Sequence, residues 1–481
     1  MTTPHSLTGV HPSHSDRATF GSDFLWGSAT AAYQIEGAAW QDGRTDSIWD
    51  AFARRPGAVF GGHDGSVAVD HYHRYAADVA LMADLNLGAY RFSTSWARVC
   101  PDGGPPNAAG LDFYSRLVDE LLDRNILPWL TLYHWDLPQA LEDAGGWAAR
   151  DTAYRFADYA RAVHDVLGDR VRHWTTLNEP WCSAMLGYAA GEHAPGRTEP
   201  VAALRATHHL LLAHGLGVQA LRAEDPTLSL GLTLNFNDIA PADPDSAADL
   251  DAARRADGMM NRLFLDPVFH GAYPTDVLED LTDLWPADLV HDGDLATIAT
   301  PIDVLGVNYY SCESVTGPDP ATARQAAAAA RAAGPSARVG SEHVRSVPRG
   351  LPATAQGWEV YPAGLTALLQ RLHEYAAPAG VQLYVTENGA AYDDAPDALG
   401  FVDDTDRTAY IRAHLHAVLA AIRAGVDVRG YFVWSLLDNF EWAWGYAKRF
   451  GIVRVDYATL DRTPKASARW YAGVARSGRL D

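Results

Sequence analysis

The chain has 481 residues, 48% apolar and 10% aromatic with 15 Trp, which gives room for a sizeable core in one large barrel or in up to about three average domains. Its formal charge of −22, from 38 Lys+Arg against 60 Asp+Glu, argues against nucleic acid and anionic membrane surfaces, both of which need basic patches. Cys100, Cys182 and Cys312 are odd in number and form no CxxC motif, so free thiols in a reducing, cytoplasmic compartment are expected. No apolar run approaches the roughly 18 residues of a membrane span.

Residues 1–17 are polar, rich in His and Ser, and lack an apolar signal core, so a disordered tail is expected there. Phe24–Thr30 reads as a first buried strand, ending on the polar tip Tyr33-Gln34-Ile35-Glu36-Gly37. A helix over 71–86 shows Tyr75, Val79, Leu81, Met82 and Leu85 roughly on one face. Gly88–Ser93 is the second strand and holds Arg91 in an apolar run, where a buried guanidinium requires a carboxylate partner. A helix over 110–125 precedes the third strand, Ile126–Leu132, and its tip Tyr133-His134-Trp135-Asp136. Asp151 is placed to cap a helix running to about Leu167. The fourth strand begins near Arg172 and stops at Asn178-Glu179-Pro180-Trp181, since proline cannot continue a ladder.

A helix over 201–223 leads to the fifth strand, Ser229–Asn235. A helix over 246–264 precedes the sixth, Asp303–Tyr310, with Asn308 and Tyr310 at its tip. Residues 317–350 are rich in Ala, Pro and Arg and read mainly as a long surface excursion with room for a short helix. A helix over 362–375 is followed by the seventh strand, Tyr384-Val385-Thr386-Glu387-Asn388, and by Gly389, read as permitting a turn. A helix over 405–424 leads to the eighth, Val428–Ser435, and then to Asp438-Asn439-Phe440-Glu441-Trp442. Short apolar strands alternating with helices, with polar tips after the strands, predict a single (β/α)₈ barrel over 18–481 with its site at the C-terminal face.

Two strand-end glutamates, Glu179 and Glu387, each beside an asparagine, organise the chemical reading. On one barrel rim such a pair can divide acid/base and nucleophile work on a glycosidic bond, one protonated and the other ionised. A separation of about 5–5.5 Å gives retention and about 6.5–9.5 Å gives inversion, and sequence spacing leaves that choice open. Arg91 could keep one carboxylate ionised. Asn178 could hold a sugar hydroxyl, Gln34, His134 and Glu441 offer further polar contacts, and Trp181, Trp358, Trp434 and Trp442 supply flat apolar walls. Taken singly each has an ordinary structural reading: a solvated turn glutamate, a hydrogen-bonded core histidine, a core tryptophan. Their joint position after successive strands is what carries the inference.

Other motifs fail. Gly215-x-Gly217-x-x-Ala220 lies in an apolar helical segment with no strand before it, so it is no dinucleotide fingerprint. The chain has no GxxxxGK[ST], HExxH or GxSxG. His71/His73 and His208/His209 lack the i,i+4 spacing of a helical ligand pair.

From about 18 to 475 the chain resembles glycoside hydrolase family 1, the β-glucosidases and their relatives. The resemblance rests on an ordered set of motifs. They are Phe24-Leu25-Trp26-Gly27, Tyr33-Gln34-Ile35-Glu36-Gly37, Arg91-Phe92-Ser93, His134-Trp135-Asp136-Leu137-Pro138, Thr176-Leu177-Asn178-Glu179-Pro180, Asn308-Tyr309-Tyr310, Thr386-Glu387-Asn388-Gly389, and Trp434-Ser435 leading to Asp438-Asn439-Phe440-Glu441-Trp442. It implies an exo-acting, retaining double displacement that removes terminal non-reducing β-D-glucosyl residues, with some β-galactosidase or β-fucosidase tolerance, from small β-glycosides or short oligosaccharides, with no metal or organic cofactor. By that resemblance Glu179 is the acid/base and Glu387 the nucleophile. Gln34, His134, Trp135, Asn178, Asn308, Glu441 and Trp442 would hold the sugar over Trp434. Tyr310 and Arg91 would support the nucleophile, and Trp181 and Trp358 would line the aglycone side. Relatives acting on 6-phosphorylated sugars have a small polar residue where this chain has Glu441. Lys448 matches their phosphate-binding lysine, whereas Phe450 replaces their tyrosine and would line the pocket. Neutral glycosides are therefore expected. The rival readings are a 6-phospho-β-glycosidase, a metal-dependent barrel hydrolase and a non-catalytic carbohydrate-binding barrel. The charge is compatible with a monomer or a homo-oligomer.

Overall fold

The computed structural model describes residues 18–480. The tail expected over 1–17 lies outside the described residues. Eight parallel strands close on themselves: β1 (Leu25–Ala29), β2 (Ala89–Ser93), β3 (Leu127–Tyr133), β4 (His173–Asn178), β5 (Ser229–Pro241), β6 (Val304–Thr316), β7 (Gln382–Asn388) and β8 (Val428–Trp434). β1 pairs with both β2 and β8, and the β5–β6 pairing completes the ring. This is the predicted (β/α)₈ barrel.

The barrel interior is packed with side chains, as such barrels require. Trp129 of β3 meets Tyr384 of β7 and Phe432 of β8 with ring centroids 4.8 and 5.4 Å away. Gly27 of β1 leaves room for this layer, since a Cβ there would stand 2.4 Å from the Phe432 ring. The surrounding helices are amphipathic. In Ala108–Asp123 the buried Leu111, Tyr114, Leu117, Val118 and Leu121 fall on one face at helical spacing. One continuous apolar cluster extends from Phe20 to Leu480.

The structure refines these expectations at particular residues and elements. Asp151 is the first helical residue of Asp151–Leu167 and does not cap it; its carboxylate accepts from Arg155 one turn on. Gly389 is required for close approach, because a Cβ there would lie 1.7 Å from the Trp434 carbonyl oxygen. The 317–350 segment holds the short helix for which room was expected and adds a return strand. It contains the helix Ala323–Ala333, which buries Ala323 and Ala327, and returns as the two-residue strand Arg345–Ser346, antiparallel to the end of β6. β5 and β6 also run on well past the predicted ends, 13 residues each, and rise from the rim as a paired ribbon. The C-terminal helix Ala466–Ser477 has no counterpart among the predicted elements. Among the described residues no helix is long and apolar enough to cross a membrane.

Candidate active site

The strand ends on the C-terminal rim are irregular where the polar residues stand. The ladder registers shift between Thr175 and Asn178 (β4–β5), between Val307 and Asn308 (β6–β7), and between Val385 and Asn388 (β7–β8). Such bulges re-aim side chains out of the alternating pattern. Glu179 follows with φ of +46°, its N–H donating to the Thr233 carbonyl, 2.9 Å. Trp135 (φ +80°) and Trp442 (φ +46°) also occupy the left-handed region. Each such residue costs on the order of 1–3 kcal/mol, and these costs gather at one rim.

The two glutamates face one cavity of about 700 Å³ whose wall also includes His134, Trp434, Glu441 and Trp442. Glu387 is fixed at both oxygens. Arg91 Nη1 donates to Oε1 and the Tyr310 hydroxyl to Oε2, both at 2.6 Å. Arg91 is fully buried, and its Nη2 donates to Asn178 Oδ1, 2.6 Å. Asn308 Nδ2 donates to that same Oδ1 (3.1 Å) and to Glu179 Oε1 (2.7 Å). Because Asn178 Oδ1 accepts twice, its amide nitrogen must face His134 Nε2, 3.0 Å away. That nitrogen therefore accepts, and the imidazole proton sits on Nδ1, which is buried with no protein partner. Burial and the Arg91 charge keep His134 neutral. Below, Asn388 ties this layer down, donating to the Tyr309 carbonyl (2.6 Å) and accepting from Tyr431 (2.6 Å).

The two carboxyls are pushed apart in protonation. Burial, and then the nearby Glu387 charge, push Glu179 up to about 8. Burial raises Glu387 too, but Arg91 and Tyr310 pull against it, so Glu387 is the member of the pair that carries the charge. A buried carboxylic acid beside a buried, pinned carboxylate is suited to protonate a leaving group on one side of a bond while attacking from the other. Glu441 adds a third carboxyl, raised to about 8 by burial; its Oε1 accepts from Gln356, 3.3 Å, and Oε2 is free of protein partners.

The aromatic residues divide the cavity. Trp434 lies parallel to the His134 ring at 5.7 Å, and Trp442 stacks on Tyr33 while packing against Trp135 at 4.5 Å. Trp135 also lines the cavity, its Nε1 donating to the Asn178 carbonyl, 2.9 Å. Trp358 sits between Tyr310 (5.5 Å) and Phe450 (6.2 Å), and Trp181 is half-buried on the same wall. Gln34 is buried off the wall, donating to Asn439 Oδ1 and the Phe440 carbonyl, with Oε1 unpartnered. Arg91 and Asn178 likewise act from behind the wall.

Several site residues were not singled out from sequence. The Cys182 thiol donates to Glu179 Oε2, 3.2 Å, and itself accepts from Asn235 Nδ2, 3.7 Å. Its place three residues after Glu179, in the first turn beyond Pro180, is the signal that could have found it. Gln356, from a loop, and Trp444, from the 3₁₀ turn Trp442–Trp444, are also on the wall with no pattern to mark them.

Residues 16–479 match the family model "Glycosyl hydrolase family 1". The chain is 52% identical to thermostable beta-glucosidase B of Thermobispora bispora over 98% of this chain and 94% of that protein. It is 48% identical to the bifunctional beta-D-glucosidase/beta-D-fucosidase of Bifidobacterium breve over 94% of this chain and 97% of that one. Among solved structures, the psychrophilic beta-glucosidase BglU from Micrococcus antarcticus superposes with a TM-score of 0.91 at 57% identity, covering 96% of this chain and 98% of that one. With this coverage and the two-carboxyl rim in place, the chain belongs to glycosyl hydrolase family 1.

Proposed function

We propose that this protein is a retaining exo-β-glycosidase that releases terminal, non-reducing β-D-glucosyl residues by double displacement. The observation that carries the reading is the Arg91–Glu387–Tyr310 cluster facing the same cavity as a protonated Glu179. In the first step a Glu387 oxygen bonds to the anomeric carbon as the glycosidic C–O bond breaks, and Glu179 gives its proton to the departing oxygen. Esterification removes the Glu387 charge, so the repulsion that raised Glu179 falls and its carboxylate is stable enough to act as base. It then takes a proton from water as that water's oxygen displaces Glu387. Two inversions at one carbon give net retention.

His134 Nδ1–H and Glu441 offer a donor and an acceptor for sugar hydroxyls at the wall, with the unpartnered Gln34 Oε1 buried behind it, Trp434 beneath, and Trp181 and Trp358 toward the leaving group. Glu441 supplies no cation for an anionic 6-phosphate and would repel one once ionised. The ammonium of Lys448 is already engaged, donating to the Ala355 carbonyl at 2.5 Å and lying 4.9 Å from the Trp444 ring centre. Both support neutral glycosides. The dual activity in the name of the Bifidobacterium breve relative supports some tolerance for β-fucosides. Three buried free thiols suit a reducing compartment, and the proposed location is the cytoplasm.

The test is turnover of an aryl β-glucoside. Glu387→Ala should abolish it, while Glu179→Ala should spare the first step only for leaving groups that need no protonation. Substantial residual turnover in a clean Glu387→Ala preparation would overturn the assignment.

A further inference from the structure

The cavity does not end at the catalytic carboxyls. Its far wall is built from the β5–β6 ribbon and from the segment that returns after the Ala-rich helix, including Asn237, Glu313, Arg338, Ser346, Val347 and Pro348. Glu313 lies three residues beyond Tyr310 on β6, so about 10 Å along the strand from the residue that holds Glu387. Here Glu313 Oε1 accepts from both Arg338 Nη2 and the Ser346 hydroxyl, and Arg338 Nη2 also reaches Ser346 Oγ, 3.2 Å.

This cluster is only partly spent. Among the described residues, Arg338 Nε and Nη1 have no protein partner, and neither does Glu313 Oε2. The side chains are 27% and 16% exposed, so these atoms stand at a water-accessible wall. The ion pair cancels their net charge. What remains is a fixed fork of donors beside a fixed acceptor, flanked by the apolar Val347 and Pro348. That combination matches the hydroxyl-bearing edges and apolar faces of a neutral pyranose.

We propose that Arg338, Glu313 and Ser346 form a distal sugar subsite that binds the second or a later glycosyl unit on the leaving-group side, making them specificity determinants for oligosaccharides over aryl and disaccharide glycosides. The inference rests on the proposed glycosidase reading and adds the chain-length preference of the same cleft. The residues come from the ribbon and the returning segment, so the Ala-rich excursion acquires a function: it carries Arg338 and Ser346 back to the cleft.

The experiment compares kcat/KM of wild type, Arg338→Ala and Arg338→Gln on 4-nitrophenyl β-glucoside and on β-1,4-linked glucosyl di-, tri- and tetrasaccharides, with the melting temperature of each protein. Wild type should gain from disaccharide to the longer chains. Arg338→Ala should lose about tenfold on the tri- and tetrasaccharide, the scale of a charge-assisted hydrogen bond, and stay within about twofold on the nitrophenyl glucoside. Arg338→Gln, which keeps a donor and length, should recover part of the loss. No chain-length gain in wild type, or an equal loss on all substrates in both variants at unchanged melting temperature, would overturn the subsite. If Arg338→Ala fails to fold, the Arg338→Gln series and the wild-type chain-length series decide. A wild type inactive on every glucoside would instead overturn the glycosidase reading itself.

Discussion

At the scale of single residues, the site depends on which carboxyl holds a proton, and Arg91 decides much of that. It donates to Glu387 and, through Asn178, orders His134. Arg91→Met should cut kcat by at least about a hundredfold, since Glu387 would lose its buried counter-charge, and should destabilise the fold by about 3–5 kcal/mol by leaving that carboxylate unpaired. Chemical denaturation and steady-state kinetics on one preparation check both. The pH profile follows from the same residues. Activity needs protonated Glu179, so kcat/KM should fall as pH rises through about 8. It also needs ionised Glu387, whose pKa burial raises, so the acid limb should lie above the ordinary carboxylate range. Stability responds in the same window. A carboxyl raised to about 8 in the folded state costs nothing below its unfolded pKa of about 4.3 and progressively more up to about 8. Glu179→Gln should therefore melt higher than wild type at pH 8, with the gap closing toward pH 4; a gap independent of pH would contradict the raised pKa.

At the scale of elements, the rim loops are held by a buried ionic network. Lys465, fully buried, donates to Asp394 and Asp438, Arg449 donates to Asp438, and Arg407 pairs with Asp394 and Asp404. This joins the loops after β7 and β8 to the start of the C-terminal helix, behind the stretch carrying Glu441 and Trp442. Lys465→Met would take one of two cations from each of Asp394 and Asp438, leaving Arg407 and Arg449 alone against them, with an expected loss of about 3 kcal/mol and a raised KM for aryl glucosides. A melting curve and KM both unchanged would contradict a positioning role for the network. Where β7 ends, Gly389→Ala would drive a methyl into the Trp434 carbonyl and displace the strand end that presents Glu387. The sequence made the strand cores legible because Val, Leu and aromatic runs bounded by polar tips have few other solutions; β2 and β8 differ from their predicted ranges by one residue at one end, and β3 is shifted by one residue. The overruns of β5 and β6 were not legible. Asn237–Pro241 are half-buried, Ser311–Thr316 mix half-buried residues with the buried Cys312, Ser314 and Val315, and neither stretch carries a clean alternation to mark a strand.

At the scale of the whole molecule, the barrel places residues separated by hundreds of positions within hydrogen-bond distance, such as Arg91 with Glu387 and Gln34 with Asn439. The pairing of Glu179 with Glu387 was readable because both end strands on the same rim. Cys182 was legible only through its place one turn past Glu179, and the Arg338 cluster was not, because Arg338 and Ser346 reach β6 on a returning segment whose path no periodicity encodes. The central claim, that Glu387 is a nucleophile in a retaining glucosidase, is tested most directly by intact mass and peptide mapping after incubation with a 2-deoxy-2-fluoro-β-glucoside bearing a good leaving group. The fluorine slows both transition states, and the leaving group lets only the first step proceed. The predicted result is one added fluoroglucosyl unit on Glu387; no adduct while aryl glucosides are still turned over, or an adduct on another residue, would contradict it.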